Sequence, residues 1–158
     1  DACHEVAKDF PEVKVDEFIV DAMMAHMVRA PERFDVIVTT NMFGDILSDL
    51  TAELSGSIGM GGSLNAGANY AMGQAAHGSA PDIAGQDVSN PFSLILSAAM
   101  LLRWHAQRKN YDLFAKAATH IEVAVAHCVA DGQSTRDVGG SLGTKETGKA
   151  VIGKLLLS

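Results

Sequence analysis

Apolar positions along this chain recur in several rhythms, and each predicts a different element. In NMFGDILSDLTAEL, 41–54, the residues Ile46, Leu47, Leu50 and Leu54 fall three and four apart. That spacing predicts a helix with one apolar stripe. DVIVTT, 35–40, is a continuous β-branched run and predicts a short strand buried on both faces. VKVDEFIV, 13–20, predicts another strand with Val13, Val15 and Phe18 inward. Asp21 then suits the N-cap of a helix, AMMAHMVRA, which Pro31 stops. Ala2 to Phe10 reads as the tail of a helix already under way, ending before Pro11, so the chain is expected to be a piece of something longer.

Three long helical patterns fill the second half: Asn90 to Gln107, Tyr111 to Ala130, and Thr144 to Leu157. The first is apolar nearly all round and is expected to be deeply buried. NYAMGQAAH, 69–77, predicts one short strand. Two stretches escape any period. GSIGMGGSLNAG, 56–67, holds five glycines in twelve residues and reads as a hinge or domain crossing. It has neither the ending of a P-loop nor the spacing of a dinucleotide-binding turn. HGSAPDIAGQDVSNP, 77–91, is a long loop rich in glycine, proline and polar groups, the kind that often carries function. The order is mixed α/β with a helical majority and no internal repeat.

Composition narrows the function. With 158 residues, 47% hydrophobic and 20% charged, the chain has the make-up of a soluble globular protein. A net charge of −7 with scattered basic residues excludes a nucleic-acid footprint. No signal peptide and no apolar run of about 20 residues is visible, so no membrane association is expected. Cys3 and Cys128 lie far apart and read as reduced thiols of a cytoplasmic protein. An acidic protein that grips an anionic substrate needs a cation or an arginine cluster to offset its own field.

Asp45 and Asp49 supply a place for such a cation. Four apart on a helix, their carboxylates project from one face, and a hard divalent ion turns their repulsion into attraction. The bland alternative is a solvated acidic face. Asp21 is a third candidate whose bland reading is simple capping. In the long loop, Gly78 and Gly85 allow close approach of backbone to a ligand. Asp82 can accept from both hydroxyls of a ribose. Asn90 suits an adenine edge or a helix cap. His77 alone reads as structural, as do His4, His26, His105, His120 and His127.

Together NMFGDILSDL, HGSAPDIAGQDVSNP, SLILSAAMLL and TRDVGG resemble the β-decarboxylating dehydrogenases, the family of 3-isopropylmalate, isocitrate, homoisocitrate and tartrate dehydrogenases. The resemblance runs over essentially the whole chain but covers only the C-terminal half of a typical member. It implies a two-domain α/β fold around a large mixed sheet, assembled as a homodimer. Residues 1–57 would belong to the dimerisation and substrate domain, and 58–158 to the closing part of the cofactor domain. Helices 21–30 and 42–55 would line the dimer interface, leaving Met23, Met24, Met27 and Leu50 exposed on one protomer.

The implied reaction oxidises a 2-hydroxy di- or tricarboxylic acid, 3-isopropylmalate or isocitrate, and releases CO₂. Asp45 and Asp49 would hold Mg²⁺ or Mn²⁺, with Asp21 reaching it from the partner protomer; Asp21 and Asp45 would be catalytic in this sense. His77, Gly78, Ser79, Ala80, Pro81, Asp82, Ile83 and Asn90 would hold the adenosine half of the cofactor. A carboxylate at position 82, followed by Ile83, implies NAD, because NADP users place lysine and tyrosine there; Arg136 stands near their further phosphate-binding groups. Two departures stand out. The family's Phe-Glu-Pro-Val run before the histidine is here GQAA, with Gln74. The family's catalytic lysine, tyrosine and arginines would lie before Asp1, so the isolated chain is expected to fold poorly and not to catalyse. The rival readings are a non-catalytic regulatory or scaffold subunit of such an enzyme and an unrelated hydrolase using the aspartate pair.

Overall fold

The computed structural model describes residues 2–156, which form two compact units dividing between Leu47 and Ser48. In the first unit, α1 (Ala2–Ala7) is a short surface helix with no buried residue. Then come α2 (Val20–Arg29), a single 3-10 turn at Pro31–Arg33, and the first half of α3 (Asn41–Leu54). Met23, Met27 and Leu47 are this unit's buried apolar side chains. Phe18 meets His26 and Phe34 edge to face, with ring centroids 5.1 and 5.6 Å apart.

Here the structure corrects several expectations. Segments 13–19 and 34–40 are irregular and belong to no sheet among the described residues. Val36 and Val38, expected inside a strand covered on both faces, are 82% and 74% exposed. Strand-forming side chains make a strand only when a neighbour supplies the ladder, and no described segment does so here. Met23 and Met27 face inward rather than outward, because α2 buries its own methionine stripe. Asp21 lies inside the first turn of α2, not at its cap, and the N-cap position falls to Ile19.

The second unit holds the larger core. Strands β1 (Gly62–Ala66) and β2 (Ala71–Ala75) form an antiparallel hairpin, with Gly62 opposite Ala75. The β1 strand and the preceding 3-10 turn at Ile58–Met60 occupy the glycine-rich stretch that sequence suggested as a hinge. Three helices follow: α4 (Phe92–Lys109), α5 (Asp112–Ala130) and α6 (Thr144–Leu155). Leu157, the expected end of the last helix, lies outside the described residues. Phe92, Ala124, Val125, Cys128 and Val151 make the core where the three helices meet. By length and composition alone α5 is apolar enough to cross a bilayer; here it packs between α4 and α6, and its Glu122 pairs with Arg103 of α4 at 2.5 Å.

The seam between α4 and the hairpin is polar and very close. Two fully buried serines one turn apart on α4 serve as its hydrogen-bonding face. Ser93 Oγ donates to the Gly61 carbonyl and accepts from Ala76 N, at 2.5 and 3.0 Å. Ser97 Oγ lies 2.6 Å from the Gln74 carbonyl and accepts from Ser63 N at 3.0 Å. Only residues without bulk allow this approach: a Cβ at Gly73 would sit 2.8 Å from the Ser97 carbonyl oxygen. So the burial expected of α4 is realised through Phe92, Ser93, Ser97, Ala99 and Ala106, while Leu94 stays 57% exposed. Gly73→Ala should destabilise the intact protein by about 1–3 kcal/mol through overpacking, read as a lower urea midpoint at unchanged slope.

Candidate functional site

The 77–91 loop leaves β2, makes a 3-10 turn at Pro81–Ile83, and enters α4. Ala80, just before the turn, takes a left-handed φ of 42°, which Pro81 then follows with its fixed torsion. The turn lifts Asp82 into solvent with Ile83 half-buried beneath it. Gln86 Nε2 closes the turn by donating to the Asp82 carbonyl at 2.8 Å, so the Asp82 carboxylate projects from a held backbone. His77 Nδ1 lies 2.9 Å from the Gly78 carbonyl, and Gly78 itself faces open space.

Between this loop and the start of α6 lies a hollow of about 310 Å³, walled by Ser79, Ala80, Ile83, Asp87 and Lys145 among others. Six of its ten lining residues are glycine, alanine, serine or threonine, which suits a flat ring or a ribose edge. A nucleotide's adenosine half is compatible with these dimensions.

Asn90 is buried, and its amide has two internal tasks. Its Oδ1 accepts from Phe92 N at 2.9 Å, capping α4, and its Nδ2 donates to Asp137 at 2.8 Å. One amide hydrogen is left for any ligand. Asp137, which sequence reasoning passed over, is the centre of this end of the loop. Its carboxylate also accepts from Ser57 Oγ and Thr135 Oγ1, each at 2.6 Å. Gly59 fits against the pair only because it has no side chain, since a Cβ there would lie 2.8 Å from Asp137 Oδ2. Burial pushes the Asp137 carboxyl up, but the donors Ser57, Thr135, Asn90 and its own backbone amide outweigh it and hold it below the usual carboxylate range. Arg136 stands exposed on the same 3-10 turn, Arg136–Val138.

The expected metal ligands are placed less completely. Asp45 and Asp49 are exposed and one turn apart on α3. Asp45 Oδ2 accepts from Asn41 Nδ2 at 3.2 Å. Asp21 is exposed on α2, its Oδ1 accepting from Ala22 N at 2.7 Å. No three acidic, cysteine or histidine side chains converge among the described residues. Two carboxylates fit a hard divalent ion, since Mg²⁺ keeps several waters and often takes only one or two protein carboxylates.

Gly73 and Gln74 stand where the resemblance expects phenylalanine and glutamate: α4 lies too close to Gly73 for any side chain, and Gln74 is exposed.

The model of the isocitrate/isopropylmalate dehydrogenase family matches residues 1–151. The chain is 43% identical over 155 residues to the 3-isopropylmalate dehydrogenase of Archaeoglobus fulgidus, covering 98% of this chain and 45% of that protein. It is 44% identical to the NADP isocitrate dehydrogenase of Rickettsia bellii, covering 96% of this chain and 31% of that one. The crystal structure of isocitrate dehydrogenase from Methylococcus capsulatus superposes with a TM-score of 0.89 at 41% identity, over 96% of this chain and 44% of that chain. The chain thus spans less than half the length of these relatives.

Asp137 generates a stability prediction. Asp137→Ala should cost the intact protein about 1–2 kcal/mol, the low end for a charged acceptor because solvent also reaches this carboxylate. Its folded pKa lies below the unfolded value of about 3.9, so its contribution is complete above that range and is lost as pH falls through the folded value. Asp137→Asn should therefore flatten the acid limb of stability against pH, as followed by denaturant titration.

Proposed function

The chain belongs to the isocitrate/isopropylmalate dehydrogenase family, and on that premise we propose that it forms part of an enzyme oxidising and decarboxylating a 2-hydroxy acid with NAD and Mg²⁺ or Mn²⁺. The observation that carries the reading is the 77–91 loop: its Ser79, Ala80, Ile83 and Asp87 wall a hollow of nucleoside size, and the turn that supplies Ile83 leaves Asp82 exposed. In the intact protein, residues 1–57 would belong to the dimerisation and substrate domain, and 58–158 to the cofactor domain. The two would share the large mixed sheet, to which segments 13–19 and 34–40 would contribute strands. The substrate class is that of the relatives' names, 3-isopropylmalate or isocitrate.

On this reading each residue has a physical task. Asp82 accepts from the ribose hydroxyls of NAD and repels a 2′-phosphate. His77, Gly78, Ser79, Ala80, Pro81 and Ile83 form the backbone surface against which the adenosine lies. Asn90 offers its remaining amide hydrogen to the ring. Asp45 and Asp49 draw a divalent cation to one face of α3, and Asp21 of a second protomer completes its ligands in a homodimer. Bound there, a cation would lower the substrate hydroxyl's pKa and offset charge left as CO₂ departs. NAD held on the 77–91 loop would supply the hydride acceptor. An acidic protein thereby grips an acidic substrate through the ion it recruits.

The test takes the intact protein with Mn²⁺ and NAD over a panel of 3-isopropylmalate, isocitrate, homoisocitrate, tartrate and malate, following the reduced-cofactor absorbance. Turnover of one of them is expected. No turnover with any of them, while Mn²⁺ still binds, would favour a regulatory subunit. Asp45→Asn should abolish Mn²⁺ binding seen by calorimetry. Replacing Asp82→Lys together with Ile83→Tyr should move the ratio of kcat/KM values toward NADP by about tenfold or more, as one charge-assisted contact is worth about 1.5–3 kcal/mol; an unchanged ratio refutes the role of Asp82.

A further inference from the structure

We propose that Asp87 is a positioning residue that sets the shape of the cofactor hollow by clamping the 77–91 loop to the first turn of α6; the inference rests on reading that loop as the holder of the adenosine half of NAD. Asp87 takes a left-handed φ of 58°, a conformation aspartate tolerates better than most side chains. Two contacts hold it there. The Asp87 carbonyl accepts from Thr144 N at 3.0 Å, and its Oδ1 accepts from Lys145 N at 3.1 Å. These are two of the amides that the start of a helix leaves without partners.

The residue in the capping position of α6 is Gly143, which has no side chain to accept from them. Its bareness is required, because a Cβ at Gly143 would lie 2.6 Å from Asp87 Oδ2. The cap is thus delivered across the fold from the loop, and helix and loop are fixed to each other by it. Thr144 Oγ1 adds a third tie, donating to the Ser89 carbonyl at 2.5 Å.

The same residues wall the hollow. Asp87, Ser89, Thr144 and Lys145 stand opposite Ser79, Ala80 and Ile83. With Asn90 anchoring the loop's exit on Asp137, Asp87 governs how far the Asp82 turn stands from α6. Loosening this clamp should weaken the grip on adenosine while leaving the distant reacting end of the cofactor alone. A helix cap that only stabilised α6 would lower Tm without touching cofactor affinity.

The experiment titrates the intact protein with ADP-ribose, which carries the adenosine half without the nicotinamide, by calorimetry. Asp87→Ala should weaken ADP-ribose about tenfold, the scale of a lost cap. It should raise KM for NAD by a similar factor with kcat held within about twofold. Asp87→Asn keeps an acceptor oxygen and should bind within about threefold of the unaltered protein. Gly143→Ala, which pushes a methyl into the clamp and leaves Asp87 in place, should reproduce the loss. Unchanged ADP-ribose affinity in both Asp87→Ala and Gly143→Ala, even with a lowered Tm, overturns the positioning role alone. Failure of the unaltered protein to bind ADP-ribose overturns the cofactor reading itself.

Discussion

The Asp137 carboxylate gathers hydroxyl and amide donors from Ser57, Asn90 and Thr135, residues that lie on three separate segments. The first ends α3's approach to the hairpin, the second closes the long loop, and the third opens the turn before α6. None of these segments has regular structure of its own at the point of contact. Their polar groups face inward, where an unmet donor costs more than a made bond gains. One charge that satisfies all of them therefore decides where the loop begins its path into α4.

The loop that results is an irregular segment whose later part is tied down by Asp87 and Ser89 on α6 and by Asn90 on Asp137. Ahead of those ties residues 76–80 belong to no helix or strand, so their backbone can serve as a surface. The hairpin and α4 behind it are joined by Ser93 and Ser97 rather than by large apolar side chains. Such a seam has defined distances, because hydrogen bonds tolerate less sliding than a greasy contact. Walls mounted on a seam of that kind keep a fixed position, as the proposed nucleotide site would require.

Much of this was legible in the chain beforehand. The long helices follow from apolar spacing and from Pro and Gly at their limits, and their ends shift by only a residue or two from expectation. The family resemblance rested on GDILSD and HGSAPDIAG, local strings whose spacing needs no fold to be read. Segments 13–20 and 35–40 misled, because β-branched composition reports a capacity to pair and not the presence of a partner. Asp87 and Asp137 were invisible for a different reason. Their partners lie 58 and 80 positions away at the far ends, at Lys145 and Ser57, so nothing local marks them. Gly143 before Thr144 was the available hint, a helix start lacking the usual capping side chain.

The capping of α6 has an electrostatic corollary. Helix openings ordinarily present a partial positive charge that anions exploit. At this one the chain's own carboxylate already sits on the exposed amides, so the opening is neutralised from within. A phosphate arriving in the hollow gains no help from the helix axis and must find every counter-charge among side chains. On the proposed reading, discrimination between phosphorylated and plain riboses would fall to the few residues at the rim, where substitution can change it without disturbing the scaffold.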